Sequence, residues 1–360
     1  MIYKLILTLR NHRYRDGKNS RKADVPTVCI GNITVGGTGK TPHTELAVRR
    51  LQELGKYQTI AILSRGYKRR SKGFQQVVAT STADFCGDEP LLLKQRLPGA
   101  VVAVDKDRLE GCAILSKPQS ARTLRNCVSP DFPAADAIVL DDAYQYRSLK
   151  ADLDVVLVDW SRPVTRDSLL PSGRLRDLRS RLYDARAVIV SKCPYALDDS
   201  EKQDYALLLG YDSWDPQSCI AVRKGRPQTL LFTGIEYGAP EPVFPDADMR
   251  YTYSSKAVLL TGIADDTPLR NHLSATYAIV GHLKYPDHHR FSSSDFREMA
   301  SAMHHNPTAA VITTEKDAQR LRDARALPDG LSGRLFYIPI SAVFLTQCEA
   351  QVFDQLLNEI

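Results

Sequence analysis

A glycine-rich turn between an apolar strand and a helix is the feature that most constrains how this chain can fold. The apolar run from Val25 to Ile30 leads into residues 31–42, which read GNITVGGTGKTP, and a helix-patterned stretch follows. In such a turn the backbone N–H groups converge on phosphate oxygens, and the helix N-terminus adds positive potential. The pattern predicts a nucleoside triphosphate site, with Lys40 bridging the outer phosphates and Thr41 binding Mg²⁺. The loop residues expected to contact the nucleotide are Gly36, Gly37, Thr38 and Gly39.

The loop departs at one position from the strict phosphate-binding pattern G-x-x-x-x-G-K-[ST]. Thr34 stands where that pattern has its first glycine, five residues before Gly39. The context of strand, loop and helix that the motif requires is nevertheless present. A glycine-rich turn that touches no phosphate is the alternative interpretation, and Lys40 and Thr41 favour the nucleotide site over it.

Basic charge is concentrated in the first 22 residues. That segment has seven Lys or Arg residues against Asp16, a net charge of +6, and the whole chain of 360 residues also has a formal net charge of +6. Bulky apolar groups between Met1 and Leu9 precede the basic cluster. This arrangement is typical of a helix at an anionic bilayer surface, and it is equally typical of a terminal helix packed on its own domain.

Composition disfavours several classes of protein. Apolar content is 43%, and no run approaches the roughly 18 apolar residues that span a bilayer. No cleavage site follows the N-terminal apolar stretch, so neither secretion nor a membrane-spanning segment is expected. The seven scattered cysteines lack metal-ligand spacing and indicate reduced thiols in the cytosol. Nucleic acid is not expected as a partner, because no basic platform with interleaved aromatic residues appears.

Short β-prone runs alternate with helix-like stretches, which predicts an α/β fold with a parallel sheet flanked by helices. One set of runs lies between residues 59 and 190, and a second lies between residues 257 and 338. A chain of this length is expected to form two lobes. The predicted organisation is a basic amphipathic membrane-associating arm at 1–22, a P-loop kinase-type nucleotide-binding domain at 23–216, a linker or β-hairpin region at 217–250, and a smaller α/β lobe at 251–360.

Acidic residues follow the predicted strand at 137–140. Asp141 and Asp142 are expected on the Mg²⁺ side of the nucleotide, because a hard cation takes oxygen ligands and P-loop enzymes supply them at strand ends. Asp159 follows another strand in the same way, so a carboxylate that caps the next turn is an equally good interpretation. Arg65 lies in the basic loop SRGYKRR at 64–70, which fits either a clamp for an anionic substrate or a solvated loop.

Two further polar positions have more than one interpretation. Asp88 precedes a helix-like run of leucines and is most simply an N-cap. Residues 285–289, which read YPDHH, fit a metal cluster, a base with an orienting partner or an exposed polar turn. Spacing along the sequence does not separate these three.

Taken together, these motifs resemble the tetraacyldisaccharide 4′-kinase family of lipid A biosynthesis, and the similarity runs over nearly the whole chain. Thr34 is also typical of that family at its position. The order of the motifs is specific: GNITVGGTGKTP at 31–42, LSRGYKRRSKG at 63–73, GDEP at 87–90, LDDAYQYR at 140–147, LLPSGRLRD at 169–177, PDHHRF at 286–291 and TTEKDA at 313–318.

The resemblance implies ATP- and Mg²⁺-dependent phosphorylation of the 4′-hydroxyl of an acylated glucosamine disaccharide 1-phosphate, which forms lipid IVA. It also implies a peripheral position at the cytoplasmic face of the bacterial inner membrane, which the basic apolar arm suits. Carried over by resemblance, Lys40 and Thr41 serve the phosphates and the metal, and Asp141 and Asp142 serve the Mg²⁺ side.

A carboxylate–imidazole pair of Asp88 and His288 that activates the sugar hydroxyl is likewise implied by the resemblance. We expect Asp88 to accept the hydroxyl proton while Lys40, the loop amides and Mg²⁺ stabilise charge on the transferred group. Arg65 and Arg176 are the candidate substrate-binding residues.

The chain departs from the family pattern after its acidic strand end. Residues 143–146 read AYQY, where Gly-Phe-Gln-His is usual, so no role is assigned to Tyr146. Asp177 stands where a glutamate is common.

A nucleotide-switched P-loop regulator or metal-insertion GTPase is the alternative function, since GGTGKT loops occur there too. Guanine-binding proteins need an acid two residues after a strand-end lysine, and Pro194 stands there after Lys192. A lipid-binding module without catalysis is a third interpretation, and it has no need of Asp88, Asp141 and His288.

Overall fold

The computed structural model describes residues 2–14, 19–123, 127, 131–324 and 327–360. The chain forms two compact units, each discontinuous in sequence. Unit 1 consists of Met1–Thr80, Leu93–Ile235 and Ala342–Ile360. Unit 2 consists of Ser81–Leu92 and Glu236–Ser341.

Unit 1 is built on a large and mainly parallel sheet. Its strands are β1 Thr27–Asn32, β2 Ile60–Ser64, β3 Gln75–Val77, β4 Val101–Val104, β5 Ala137–Asp141, β6 Leu153–Asp159, β7 Ala187–Ser191, β8 Ser213–Asp215, β9 Ile220–Arg223 and β10 Arg226–Tyr237. They lie side by side in the order β3, β4, β2, β5, β1, β6, β7, β10, β9, β8. The strands from β4 to β10 in that order pair in parallel, and the outer strands β3, β9 and β8 pair antiparallel.

The central strands are buried on both faces. Every residue of β1, β2, β4, β5 and β7 is buried. Helices cover both faces of a parallel sheet of this kind, so its strands are continuous apolar runs rather than alternating ones. Burial of each large aliphatic side chain contributes roughly 1.5–3 kcal/mol, which is why such runs form strands here.

The helices of unit 1 include a segment from each end of the chain. They are α1 Ile2–Arg13, α2 Lys40–Leu54, α5 Arg108–Ser116, α6 Asp199–Leu208 and α10 Gln347–Asn358. Helix α10 follows β16 (Ile340–Phe344), which pairs with β10. A capping box of Thr346 and Glu349 starts α10, and Asp354 on its exposed side bonds Arg50 of α2 at 2.8 Å. The C-terminal segment is therefore an integral part of unit 1.

Unit 2 has a smaller sheet. Its strands are β11 Glu241–Pro242, β12 Lys256–Thr261, β13 Ala278–Lys284, β14 Ala310–Thr314 and β15 Leu335–Ile338. Strands β15, β14, β12 and β13 are parallel neighbours in that order, and β11 pairs antiparallel with β15. The helices associated with it are α3 Ala83–Cys86, α7 Thr267–Ser274, α8 Ser293–His305 and α9 Glu315–Arg322, and α4 Asp88–Arg96 begins in this unit.

Alternate residues of the unit 2 strands pack in two separate apolar clusters. Val258 and Leu260 belong to one cluster, while Ala257 and Leu259 belong to the other. Successive side chains of a strand point to opposite faces, so the sheet is covered by apolar packing on both sides.

The predicted α/β fold, with a parallel sheet flanked by helices and a second, smaller α/β part, is confirmed. Both sets of β-prone runs are strands, and residues 217–250 contain the β9–β10 hairpin and β11. In the described part of the chain, none of the helices combines the length and the apolar character needed to cross a bilayer.

Candidate active site

The predicted phosphate loop, residues 33–39, lies in unit 1 between the carboxyl end of β1 and the first residue of α2. Gly36 and Gly39 have positive φ angles of 102° and 80°, which L side chains adopt only at a cost. The first N–H groups of a helix have no intrahelical acceptor. The loop and the start of α2 therefore offer backbone donors suited to phosphate oxygens.

Hydrogen bonds from neighbouring segments hold this loop in place. The N–H of Val35 donates to the Arg174 carbonyl at 2.8 Å. The Asn32 side-chain amide donates to the Thr38 hydroxyl at 2.7 Å, and the Ser191 hydroxyl donates to the Thr38 carbonyl at 2.9 Å. These contacts constrain the loop from its surroundings, which reduces the ordering cost of nucleotide binding.

Lys192, at the carboxyl end of β7, also holds the loop. Its ammonium donates to the Gly37 carbonyl and forms an ion pair of 2.8 Å with Asp159. Burial acts to raise the pKa of Asp159, but Lys192 outweighs it and keeps that pKa below its usual value. From the sequence, Lys192 is no more than a candidate for guanine recognition, because nothing in the local sequence indicates which loop the lysine reaches.

Asp142 lies among cations at the end of β5. Its φ angle is 53°, in the left-handed region that residues other than glycine seldom adopt. Arg176 binds its carboxylate with two N–H groups, one of them at 3.1 Å, and Lys40 lies 3.9 Å away. Burial acts to raise the pKa of Asp142, but Lys40 and Arg176 hold it below its usual value. The same arginine also donates to the Asn32 side chain, so its guanidinium joins two strand ends.

Asp141 is buried and held by hydroxyl groups. It accepts a hydrogen bond from Ser64 at 2.9 Å and one from Thr44 at 3.3 Å. Thr44 lies one turn after Thr41, which is also buried. Carboxylate and hydroxyl oxygens form the donor set that Mg²⁺ prefers, so Thr41, Asp141 and Asp142 fit that ion chemically.

Arg65 and Tyr146 lie near the carboxyl edge of the same sheet. Arg65 directly follows β2 and is exposed. Tyr146 donates to Asp107 at 2.7 Å, and Asp107 caps the N-terminus of α5. The tyrosine that replaces the usual histidine therefore links the segment after β5 to a helix start.

Asp88 and His288 meet in unit 2, in the contact that the resemblance implied. Asp88 is the first residue of α4 and is buried, and its carboxylate lies 3.0 Å from Nδ1 of His288. His288 has a φ angle of 59°, and its N–H donates to the Gly262 carbonyl at 3.2 Å. The neighbouring His289 binds a different carboxylate, Asp295, at 2.9 Å.

The two imidazoles thus serve separate carboxylates and do not converge on one point. Within the residues that the structure describes, no group of three or more His, Cys, Asp or Glu side chains is arranged to hold a metal. Of the three interpretations of residues 285–289, a carboxylate with an orienting imidazole agrees best with this geometry.

Two cations of α9 accompany the Asp88–His288 pair. Arg320 Nε lies 3.5 Å from the Asp88 carboxylate, and Lys316 binds Glu89, the next residue along α4. Burial acts to raise the pKa of Asp88, but the His288 hydrogen bond and the cationic neighbours outweigh it and hold that pKa far below its usual value. The motif TTEKDA contains Lys316 but does not reveal its partner, and Arg320 lies outside every motif.

The N-terminal helix α1 is packed on unit 1 and also exposes apolar groups. Leu7 is buried, whereas Leu5, Ile6 and Leu9 are 55–62% exposed. Arg10 and Asn11 bind the buried carboxylate of Asp177 at 2.9 and 3.0 Å. Residues 15–18 of the basic cluster lie outside the described residues. One side of α1 therefore packs on unit 1 and another side exposes apolar groups, while binding of this arm to a bilayer surface stays a prediction.

The parallel sheet and the glycine loop between β1 and α2, together with the acidic end of β5, define a P-loop nucleotide-binding protein. The buried carboxylate–imidazole pair of unit 2 adds a group that can receive a proton, which a kinase needs and a simple nucleotide switch does not.

Comparison with known proteins agrees with a P-loop nucleotide-binding protein and identifies the family within that class. The profile of the family described as Tetraacyldisaccharide-1-P 4′-kinase matches residues 1–360. A Tetraacyldisaccharide 4′-kinase of Parabacteroides distasonis is 35% identical over 360 residues, covering 98% of this chain and 88% of that protein. One from Porphyromonas gingivalis is 34% identical over 372 residues, covering 100% of this chain and 95% of that protein. The chain belongs to the tetraacyldisaccharide 4′-kinase family.

A solved structure has the same fold. The crystal structure of LpxK from Aquifex aeolicus in complex with ATP superposes with a TM-score of 0.67 at 21% sequence identity, over 99% of this chain and 96% of that one. The family match does not favour a nucleotide-switched regulator or a metal-insertion GTPase.

Proposed function

We propose that this protein transfers the γ-phosphoryl group of ATP to the 4′-hydroxyl of an acylated glucosamine disaccharide 1-phosphate, which forms lipid IVA. The observation that carries the proposal is the family match over all 360 residues. The phosphate loop of unit 1 and the Asp88–His288 pair of unit 2 support it, since phosphoryl transfer needs a bound triphosphate and a group that receives the hydroxyl proton.

Unit 1 is assigned the nucleotide. The loop amides and Lys40 would bind the phosphates. Unit 1 contains most of the nucleotide-binding region predicted at 23–216 and also residues 342–360 of the lobe predicted at 251–360, whereas residues 81–92 belong to unit 2. Thr41, Asp141 and Asp142 would hold Mg²⁺, which neutralises charge on the β- and γ-phosphates when bound. Lys40 and Arg176 already pair with Asp142, so its carboxylate would have to exchange one of these partners to bind Mg²⁺.

Unit 2 is assigned the proton acceptor. In the transfer, the 4′-oxygen forms a bond to the γ-phosphorus, the bond from that phosphorus to the bridging oxygen breaks, and ADP leaves with the electron pair. The hydroxyl proton passes to a carboxylate oxygen of Asp88. The low pKa of Asp88 keeps it ionised at neutral pH, so its main contribution is position, and His288 fixes that position through its 3.0 Å contact.

Arg65 and Arg176 are assigned to the anionic part of the acceptor. Arg65 is exposed at the end of β2, so its guanidinium is accessible to a phosphate. Arg176 is partly exposed and engaged with Asp142, so its use for substrate would require exchange of that partner.

Residues 1–22 are assigned to an anionic membrane surface, at the cytoplasmic face of the bacterial inner membrane. The exposed side chains of Leu5, Ile6 and Leu9 would enter the acyl boundary, because apolar side chains of an interfacial helix lie a few ångströms below the headgroups. Flotation with phosphatidylglycerol vesicles tests this. A double variant Leu5→Ser/Leu9→Ser should lose binding, while Leu207→Ser, which changes another exposed leucine of unit 1, should keep it.

The reaction itself is tested in detergent micelles that contain the 1-phosphorylated acyl disaccharide and labelled ATP or GTP. We expect label on the disaccharide with ATP and Mg²⁺. Asp88→Asn and Lys40→Ala should reduce kcat by roughly a hundredfold or more, and Asp88→Asn should retain ATP affinity. His288→Gln should lose rate, whereas the adjacent His289→Gln is the matched control. Absence of labelled product from the unaltered protein would refute the proposed function, and full activity of Asp88→Asn would remove that residue from the mechanism.

A further inference from the structure

A buried arginine connects the segments that carry the Asp88–His288 pair. Arg320 of α9 is 9% exposed, and its Nη1 donates to the carbonyls of Gly262 at 3.3 Å and His289 at 3.2 Å. Its Nε lies 3.5 Å from the carboxylate of Asp88. One rigid guanidinium thus contacts the residue after β12, the turn after β13 and the start of α4.

Asp317 forms an ion pair with this arginine and fixes its position. It is fully buried, forms a 3.2 Å ion pair with Arg320 and accepts hydrogen bonds from the Gly262 N–H at 2.9 Å and the Thr314 hydroxyl at 2.7 Å. A methyl group on Gly262 would lie 2.8 Å from the Asp317 carboxylate, so the two approach closely. Both peptide groups of Gly262 are therefore hydrogen-bonded by this pair: Asp317 accepts from its N–H, and Arg320 donates to its C=O.

Gly262, held by this pair, in turn fixes the backbone of His288. Its carbonyl accepts the His288 N–H at 3.2 Å, which helps to hold His288 at its φ angle of 59°. A non-glycine residue in this region of backbone space costs of order 1 kcal/mol or more and persists only when its surroundings impose it. The hydrogen bonds among Asp317, Arg320 and Gly262 provide these surroundings for His288.

We propose that Arg320, held by Asp317, is a positioning residue for phosphoryl transfer, because it fixes the Asp88 carboxylate and the His288 turn relative to each other. This inference rests on the proposed function, in which Asp88 receives the hydroxyl proton. Arg320 touches no substrate in this role and acts through Asp88 and His288.

Arg320 has a second effect, on the charge of Asp88. Within unit 2, the groups around Asp88 are the cations Arg320 and Lys316, the imidazole of His288, and the acids Glu89, Asp287 and Asp317. Burial is the strongest influence on the pKa of Asp88 and acts to raise it, while His288, Lys316 and Arg320 lower it. Removal of a cation must therefore raise this pKa, and the acid limb of the pH–rate profile must move to higher pH, since the ionised carboxylate is the active form.

The test uses the full-length protein and the micelle assay with ATP and the 1-phosphorylated acyl disaccharide. Arg320→Gln should lower kcat roughly tenfold or more while the Kd for ATP changes less than twofold. The acid limb of kcat should shift to higher pH, and further in the double variant Lys316→Met/Arg320→Gln, because each substitution removes a cation that lowers the pKa of Asp88. Arg320→Lys keeps the charge without the fork geometry, so it should restore the pH profile more fully than kcat.

Arg322→Gln is the matched control. Arg322 lies on the same helix, donates to the Val243 carbonyl at 3.0 Å and lies over the Tyr337 ring at 5.5 Å. It should leave kcat and the pH profile unchanged.

A lower kcat for Arg320→Gln without a shift of the acid limb in either variant would show that Arg320 only stabilises the fold, and it would overturn the inference. If Arg320→Gln fails to fold, Lys316→Met alone still tests the charge effect, and an unmoved acid limb there contradicts it. Failure of the proposed function is distinguishable, since the unaltered protein would then give no product at any pH.

Discussion

The buried ion pair of Lys202 and Glu349 makes a strong prediction about the stability of unit 1. The two side chains are 2% and 1% exposed and lie 3.1 Å apart. The Lys202 ammonium lies 5.8 Å from the Trp214 ring and 5.5 Å from the Phe232 ring. Glu349 also accepts the Phe232 N–H at 3.2 Å, so one carboxylate connects α10 to the sheet.

Glu349→Ala removes the charge that compensates this lysine. Breaking a buried pair from one side costs roughly 3–5 kcal/mol, because the remaining ion is left without a partner in the interior. At roughly 2–4 °C per kcal/mol for a unit of this size, Tm should fall by roughly 6–20 °C. Tryptophan fluorescence during thermal unfolding measures the effect, since Trp214 lines the same pocket as the ion pair and Trp160 also lies in unit 1.

Two variants separate the ion pair from other contacts of α10. Glu349→Ala with Lys202→Met should recover the part of the loss that the unpaired ammonium causes, because a methionine suits the aromatic surroundings, while the loss of the Thr346–Glu349 capping box remains. Asp354→Ala breaks the partly exposed pair with Arg50 and should cost at most about 1 kcal/mol. Equal losses for Glu349→Ala and Asp354→Ala, or no recovery in the double variant, would refute the reasoning.

Other predictions concern the phosphate loop and its supports. Lys192→Met removes the charge-assisted hydrogen bond to the Gly37 carbonyl and should raise the Kd for ATP about tenfold by calorimetry; an unchanged Kd would show that the loop holds its shape without this lysine. Burial lowers the pKa of His43 from 6.5 to about 4, so the unfolded chain binds more protons between these values. Stability should be complete above pH 6.5 and fall by about 3 kcal/mol toward pH 4; urea titrations at several pH values should show this decline, and a His43→Gln variant with the same slope would contradict it. Gly31→Ala would place a methyl group 2.5 Å from Cβ of Tyr144 and should lower the free energy of unfolding by roughly 1–3 kcal/mol in the same titrations, and a neutral result would show that the tyrosine segment moves freely.

The elements that the sequence predicts well are those specified by local patterns. The run Ala187–Val190 is apolar throughout and forms β7, and the glycines at 36 and 39 lie at the positive φ angles that a phosphate loop requires. A strand buried on both faces is a continuous apolar run, so it can be predicted from its own residues without knowledge of its neighbours.

The parts that escape prediction depend on distant partners. Arg176 binds a carboxylate 34 residues away, and Lys316 binds one 227 residues away. The local sequence of Asp88 predicts an N-cap, and only the family resemblance predicts its contact with His288. Arg320 belongs to no motif, and its importance appears once α9, β12 and the turn after β13 come together. Roles in catalysis for these residues remain predictions.

The path of the chain through unit 1 has a consequence for protein synthesis. Its last strand and helix, β16 and α10, are translated after the whole of residues 236–341, so a nascent chain at that stage carries Lys202 without Glu349. The large sheet cannot reach its final stability on the ribosome until the C-terminus has emerged. A gene fragment that stops near residue 341 should therefore give an aggregation-prone product and not a folded unit 1. Separate expression of the two units would need a circularly permuted gene.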